Sequence, residues 1–411
     1  MSIKCRKGLV MVRVAIFFSV FASTLGMMII MPILGPLTRE LGLTESQTGW
    51  MVSIASVVMA ATGAWWGAKS DHWGRKTVIL TGFAGLFVAY VLYTMAIDQG
   101  LKGLLTGLPL LAALFAGRAL VGAFLAAVPA SAQAYMADVT TSETRSAGMA
   151  LIGAASGLGM IVGPAIGGVL ALKGLIWPMV LATLLPVAAF IMVLIVVPRT
   201  APRERATTRR LSPFAPQVRG WLAIGLLIML TIVTLQVSGG FYFQDRLGLD
   251  NVATARFVAL CLTLVGVFLV VTQTLQMRLL KWAPRRLVRA GTPFLIVSLL
   301  LLLATASEPT YAIAYALFGV GAGLAMPGYM SGISLGAAED RQGAAAGLAA
   351  LMQGVAAIIA PLGSTILYER SPVLPFLVIT GLCAAAVVLG LFIGLPGVET
   401  PGSVAPITPE A

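Results

Sequence analysis

Twelve apolar runs, each long enough to cross a lipid bilayer, follow one another along this chain of 411 residues. A membrane-crossing α-helix needs about 20 consecutive apolar residues, because the hydrocarbon core is about 30 Å thick. The runs therefore predict an all-α membrane protein with helices at about 10–36, 48–68, 76–97, 104–136, 146–172, 175–197, 219–244, 254–280, 287–306, 309–336, 342–367 and 373–395. Within this length, twelve helices with short loops leave no room for a separate soluble domain.

The composition excludes a soluble fold. Hydrophobic residues make up 59% of the chain and charged residues only 10%, whereas soluble domains carry about a quarter charged residues. The 45 glycines favour helices that pack closely against one another in lipid. The net charge of +12 does not indicate a nucleic-acid partner, because the cations lie in the breaks between apolar runs.

One long basic break divides the chain into two halves of six helices. We predict six-helix bundles at residues 1–197 and 219–396, a basic linker at 198–218 and a tail at 397–411. Twelve spans put both termini on one side, which collects 20 of the 27 Lys and Arg residues, whereas the opposite side has six. The positive-inside rule then predicts cytoplasmic termini in the inner (plasma) membrane.

No pattern of residues indicates an enzyme, a cofactor or a metal site. The three cysteines lie far apart, and the single His72 cannot form a multi-histidine site. The 15 Asp and Glu residues divide into eight on the side of the termini and seven on the opposite side, so no carboxylate is left for the membrane interior.

The first half contains four motifs in order. The break between the second and third helices contains Gly67, Asp71, Gly74, Arg75 and Lys76, in which the glycines permit close packing and a tight turn. The fourth helix contains Arg118 and Gly122, and the loop that follows it runs from Asp138 to Arg145. The fifth helix contains the run of small residues Gly159, Gly163, Pro164, Gly167 and Gly168.

In their order and spacing, these motifs resemble those of the major facilitator superfamily of transporters. The fifth-helix run is similar to the motif of the antiporter branches, which export drugs or metabolites. The resemblance implies two six-helix pseudo-repeats in a monomeric transporter that exchanges a small molecule for protons. It further implies a cytoplasmic gate, in which Asp138 and Arg145 engage the 67–76 loop when the cavity opens outward.

The glycines of the fifth helix also have a physical role. At positions 153, 157, 163 and 167 they recur at nearly helical spacing and predict a smooth strip against which a second helix packs. Pro164 lacks a backbone donor and permits a kink.

The second half repeats the motifs incompletely, because its loop at 278–289 keeps the cations but has no aspartate. We expect Glu339 and Asp340 to pair with that basic cluster.

One cation, Arg118, falls halfway along a predicted helix. Because burying it costs a few kcal/mol, it must face a water-filled cavity or a partner. In the functional interpretation, Arg118 attracts an anionic group or takes part in proton coupling. In the structural interpretation, it bonds helix-end carbonyls or the amide of a Gln. Exporters of cationic drugs usually have a carboxylate with a raised pKa inside the membrane. The absence of such a carboxylate from these predicted helices favours neutral or anionic substrates, such as carboxylate siderophores.

Other polar residues in helices four, seven and ten complete a predicted pathway for substrate and protons. They are Gln133, Gln236, Gln244, Tyr315 and Tyr329. We therefore predict a proton-coupled exporter of a small neutral or anionic organic molecule that works by alternating access. Two alternatives stay open, namely an importer of a small nutrient such as a vitamin or organic acid, and a non-transporting receptor or assembly partner.

Overall fold

The computed structural model describes residues 3–141, 144–198, 211–337 and 341–392. Within these ranges, twelve helices are long and apolar enough to cross a membrane, which confirms the predicted fold class. They are α1 Met11–Glu40, α2 Glu45–Trp73, α3 Arg75–Leu101, α4 Gly107–Asp138, α5 Ala147–Ala171, α6 Trp177–Val196, α7 Pro216–Leu247, α8 Asn251–Leu280, α9 Pro284–Ala304, α10 Glu308–Leu335, α11 Gln342–Arg370 and α12 Leu374–Phe392.

Capping side chains explain where several helices begin. The Thr44 side chain accepts a hydrogen bond from the backbone N–H of Gln47, whose own side chain accepts one from the N–H of Thr44, so α2 begins with a capping box. Asp250 and Ser307 accept backbone hydrogen bonds in the same way at the starts of α8 and α10. Gly74, with a φ of 85°, allows α3 to begin directly after α2 ends.

The first membrane helix is interrupted. A helix over Ile3–Met28 is followed by a 3₁₀ turn at Met31–Ile33 and a short helix over Leu34–Glu40. Pro32, inside the turn, lacks the backbone N–H that would continue the α-helical ladder. The regular α-helical hydrogen bonding of α1 is therefore interrupted at this point.

Each half of the chain has buried cores of its own. One cluster of buried apolar side chains comes from residues 12–197, with Ala255 as its one member from the second half. Two further clusters come from residues 218–383, and one of them also contains Met28 and Met31. The broken segment of α1 is thus where the two halves share a core.

Equivalent helices of the two halves make equivalent contacts. Near the start of α3, Lys76 Nζ donates to the carbonyl of Leu194 near the end of α6, at 2.8 Å. Near the start of α9, Arg289 donates to the carbonyls of Gly390 and Leu391 near the end of α12, at 3.3 and 3.2 Å. Cations stabilise carboxyl-terminal helix ends, so these contacts match the expected pseudo-repeat of six helices.

Two arginines of the second-half basic cluster bond helix-end carbonyls. Arg285 also donates to the Leu391 carbonyl, at 3.4 Å. Glu339 and Asp340, the expected partners of this cluster, lie outside the described residues. The partners that the structure provides for Arg285 and Arg289 are therefore helix-end carbonyls.

The two halves of the chain are in close contact at one face of the membrane region. We call the face at which α1 begins and α12 ends the terminal face, and the face at which α1 ends the distal face. At the distal face, a Cβ atom added at Gly35 would lie 3.2 Å from the Gly240 carbonyl carbon, and one at Gly49 would lie 2.7 Å from the Pro361 oxygen.

Toward the terminal face, several positions within the described ranges are not packed against a neighbour. A Cβ atom added at any of four glycines of α2, α5 and α11 would have no neighbour within 4 Å. They are Gly63, Gly153, Gly347 and Gly354. Among the described residues, these four positions are therefore open toward the terminal face.

Candidate functional site

A cavity beside the predicted intramembrane cation lies between α1, α2 and α4. We call it the arginine cavity, and its two polar lining side chains are Ser56 and Arg118. Apolar side chains form the rest of the wall, among them Met27 and Met31 of α1 and Met59 of α2. Gly122 brings α4 close to α2, because an added Cβ would overlap the carbonyl of Ala55.

Arg118 is buried, and no described residue forms an ion pair with it. Only 4% of it is exposed, and its guanidinium carbon lies 5.1 Å from the ring centroid of Tyr93, within range of a cation–π contact. Its Nε and Nη2 atoms have no hydrogen-bond partner among the described residues. The described carboxylates all lie within a few residues of helix ends. An unpaired buried cation is costly, so this guanidinium can bind an anion or water.

A second cavity lies at the junction of the two halves, between α1, α5, α7 and α8. We call it the methionine cavity, because Met28, Met31 and Met160 line it together with aliphatic residues and glycines. Gln236 is the only one of its lining residues with a polar side chain. Its cavity volume is about 50 Å³ in this state, so an organic ligand requires its flexible side chains to move.

Two of the predicted pathway residues, Gln133 and Gln244, lie outside both cavities. Gln133 is exposed near the terminal end of α4. Gln244, near the distal end of α7, donates through Nε2 to Asn251 Oδ1 at 2.7 Å. Roles for these two residues in the pathway stay predictions.

The two predicted tyrosines are buried in the cores of the second half. The Tyr315 ring packs at 5.3 Å from the ring of Phe243, in an aromatic cluster. The hydroxyl of Tyr329 accepts a hydrogen bond from Gln353 Nε2 at 3.3 Å. Of the predicted pathway residues, Arg118 and Gln236 are thus the two that line these cavities.

The predicted gate residues form a cluster at the terminal face. Arg75, which is 6% exposed, donates through Nε to Asp138 Oδ2 at 3.1 Å and through Nη1 to Ser70 Oγ at 3.0 Å. Its Nη1 also forms an ion pair with Asp71. Arg75 thereby joins the ends of α2, α3 and α4 within the first half.

The remaining gate residues are placed around this cluster. Gly67 lies in α2 one turn before Asp71, and Lys76 bonds the end of α6 as described above. Arg145 is exposed, and its side chain has no hydrogen bond or ion pair among the described residues. In this state the cluster brings together Asp71, Arg75 and Asp138 but not Arg145.

The small residues of α5 bring it into close contact with α1. A Cβ atom added at Gly159 would lie 2.8 Å from the Thr24 Cβ, and one added at Gly163 would lie 2.6 Å from the Met28 Cβ. At Gly167 it would overlap the carbonyl of Ile29. These three glycines, four residues apart, form one face of the helix.

The predicted packing strip is partly wrong. Positions 153 and 157 do not belong to it, because an added Cβ there would have no neighbour within 4 Å. Gly157 lines the methionine cavity instead. Gly168 faces the second half and would overlap Ala259 of α8 if it carried a side chain. Helix α5 therefore packs against both α1 and the opposite half.

An ion-pair network at the distal face was missed by sequence reasoning. Arg39 of α1 donates to both carboxylate oxygens of Asp245 of α7, at 2.5 and 2.8 Å. The Tyr368 hydroxyl donates to the same carboxylate at 2.6 Å, and Arg39 also pairs with Glu45 at 3.1 Å. The sequence did contain a signal for this pair, because α1 and α7 are the first helices of the two repeats and carry opposite charges at equivalent ends.

Three further hydrogen bonds join the halves near the same face. Asn251 Nδ2 donates to Glu40 Oε2 at 3.1 Å, and the backbone N–H of Ser46 donates to Glu369 Oε1 at 2.8 Å. Deeper in the membrane region, Ser53 Oγ donates to the Ile358 carbonyl at 2.7 Å. These bonds hold the distal face closed in this state.

We expect Asp245→Asn to weaken the distal closure. The partly exposed pair contributes about 1 kcal/mol, so the ratio of closed to open molecules should fall about fivefold. Nitroxide labels at the exposed positions 104 and 370 would report the distance between the halves by electron spin resonance. Asp98→Asn is the matched control, because Asp98 pairs with Lys102 within its own half. An unchanged distance distribution in Asp245→Asn would contradict this role.

The structure thus has two helical halves that contain buried cavities and are joined by hydrogen bonds at one face. The chain belongs to the major facilitator superfamily, which it matches over residues 16–361. It is accordingly a multi-pass membrane transporter and not an enzyme.

The chain is similar to bacterial drug-resistance proteins. It is 28% identical over 368 residues to the class G tetracycline resistance protein of Vibrio anguillarum, covering 85% of this chain and 88% of that protein. It is 24% identical over 387 residues to the quinolone resistance protein NorA of Staphylococcus aureus, covering 92% and 95%. The crystal structure of the human organic anion transporter MFSD10 shares the fold, with a TM-score of 0.63, 20% identity and coverage of 92% and 99%.

Proposed function

We propose that this chain exports a small neutral or anionic organic molecule across the plasma membrane in exchange for protons. The observation that carries the proposal is Arg118, a buried guanidinium that adjoins a cavity and has no hydrogen-bond partner or counter-ion among the described residues. A cavity with such a group favours anions and disfavours cations. Export rather than import is supported by the relatives, which are named for resistance to tetracycline and quinolones.

The terminal face is the cytoplasmic face in this proposal. The excess of Lys and Arg on that side supports the assignment. The described state is then open to the cytoplasm and closed to the outside. Transport follows from rocking of residues 1–197 against residues 219–411, which closes the terminal face and breaks the Arg39–Asp245 pair at the distal face.

Transport into everted membrane vesicles tests direction and coupling together. Norfloxacin and tetracycline are suitable probes, because they represent the drug classes for which the relatives are named. We expect energised vesicles to accumulate a probe only when they contain the protein, and nigericin, which collapses the proton gradient, to abolish accumulation. If valinomycin, which collapses the membrane potential, abolished accumulation whereas nigericin did not, the driving force would be the membrane potential and not the proton gradient. Uptake into right-side-out vesicles would indicate the importer, which the relatives do not favour.

The cluster around Arg75 belongs to the cytoplasmic gate in this proposal. We expect Asp71→Asn to reduce transport severalfold while expression and membrane insertion stay intact, because Arg75 keeps its bonds to Ser70 and Asp138. The change weakens the ion pair that must hold the loop in place when the cavity faces outward. Vesicle transport and the amount of inserted protein are the measurements, with Asp98→Asn as control. Full activity of Asp71→Asn would remove the gate assignment.

A further inference from the structure

The arginine cavity and the methionine cavity have one lining residue in common. Met31 lies at the 3₁₀ turn that interrupts α1 and lines both cavities. Its neighbours diverge, because Met27 lines only the arginine cavity and Met28 only the methionine cavity. One flexible side chain at the break in α1 thus lies between two largely apolar pockets, of which one contains a buried cation.

The two pockets differ in what they can bind. The arginine cavity offers two guanidinium nitrogens without partners in a buried site, which suits the oxygens of an anionic group. The methionine cavity offers thioethers and aliphatic side chains with Gln236 as its one polar side chain, which suits an apolar body. Methionines adapt to ligands of different shape, because they are unbranched and polarisable.

We propose that the two cavities are subsites for one molecule, an amphiphilic organic monoanion. Its anionic group binds Arg118, its apolar body occupies the methionine cavity, and Met31 moves aside to connect the two. The inference deepens the proposed function, on which it rests, by naming the substrate class. It also joins the halves through the ligand, because Arg118 belongs to α4 whereas Gln236 and Leu262 belong to α7 and α8.

Three probes separate the contributions of the two subsites. The first is 2-naphthylacetate, the second its neutral amide, and the third acetate, which has the anionic group without the apolar body. Equilibrium binding to the purified protein in lipid nanodiscs is the measurement. We expect 2-naphthylacetate to bind at least tenfold more tightly than the amide and at least a hundredfold more tightly than acetate. Equal affinity for 2-naphthylacetate and its amide would overturn the proposal, as would no saturable binding of 2-naphthylacetate.

Two variants assign the subsites. Arg118→Gln should abolish the preference for 2-naphthylacetate over the amide. Gly157→Leu adds an apolar side chain to the wall of the methionine cavity, at a position where no atom lies within 4 Å of an added Cβ. It should weaken 2-naphthylacetate binding at least tenfold and leave acetate binding unchanged. Gly153→Leu is the matched control, since Gly153 is equally open but lines neither cavity.

The binding and transport results are separable. Unchanged affinity of Gly157→Leu for 2-naphthylacetate would show that the cavities do not hold one molecule, whatever the direction of transport. Conversely, the expected binding pattern with import instead of export would leave the shared site in place and overturn only the proposed function.

Discussion

Arg118→Gln is expected to abolish transport of an anionic substrate and to leave the protein folded. In the complex, Arg118 and the anionic group of the substrate form a buried ion pair. Removing one partner of such a pair costs about 3–5 kcal/mol, which corresponds to at least about a hundredfold weaker binding. Folding should be spared, because Arg118 has no hydrogen-bond partner among the described residues and the change removes an unpaired buried charge. The measurements are uptake of 2-naphthylacetate by everted vesicles and the thermal midpoint of the purified protein.

Arg256→Gln is the matched control for this change. Arg256 is an exposed arginine on α8 that lines neither the arginine cavity nor the methionine cavity. The Arg256→Gln variant should transport 2-naphthylacetate at the wild-type rate. Wild-type turnover by Arg118→Gln would return Arg118 to a structural role, and loss of folded protein would show that the guanidinium stabilises the helices.

A second large effect is expected from Gly163→Val. A Cβ atom at this position would lie 2.6 Å from the Cβ of Met28 and 3.2 Å from the backbone nitrogen of Ile29, so α1 and α5 must separate. Overpacking of this kind costs about 1–3 kcal/mol. The separation also moves the broken segment of α1 on which both cavities depend. We expect loss of vesicle transport and a thermal midpoint several degrees lower.

Gly381→Val provides the comparison for Gly163→Val. Gly381 is an exposed glycine in α12, with no atom within 4 Å of an added Cβ. The same substitution should therefore be tolerated there, since valine is favoured over glycine in a helix. Equal transport and thermal midpoints in the two variants would mean that the close contact between α1 and α5 is not required.

The fold could be predicted from hydropathy because a helix in lipid must satisfy its backbone hydrogen bonds internally. The helix ends differ from the prediction where helices continue into water. The second helix was expected at 48–68, but α2 extends over Glu45–Trp73 and includes the polar residues Lys69, Asp71 and His72. Hydropathy detects the part of a helix inside the bilayer and not its polar extension.

The packing face of α5 was mispredicted for a geometric reason. The expected strip placed Gly157 and Gly163 on one face, although six residues at 3.6 per turn leave them far apart around the helix. Gly159, Gly163 and Gly167 share a face because they are four residues apart, and these three contact α1. Strict attention to the helical period would have found this strip.

The position of Arg118 was readable from its isolation within an apolar run, whereas the distal network left only a weak signal in the sequence. Arg39 and Asp245 are 206 residues apart and were counted only as charges at helix ends. Their pairing depends on how the two halves pack in one particular state of the transporter. A pattern along a single chain carries little information about such contacts.

The most direct measurement of the central claim is untargeted mass spectrometry of medium and cytoplasm from a host lacking the gene and from the same host with it restored. Iron limitation is a suitable growth condition, because it would reveal export of a carboxylate siderophore. The account predicts that, when the gene is absent, a neutral or anionic organic molecule is lost from the medium and retained in the cells. If that molecule is anionic, a gene that encodes Arg118→Gln should not restore its export. A nutrient left unconsumed in the medium without the gene would contradict the account and identify an importer.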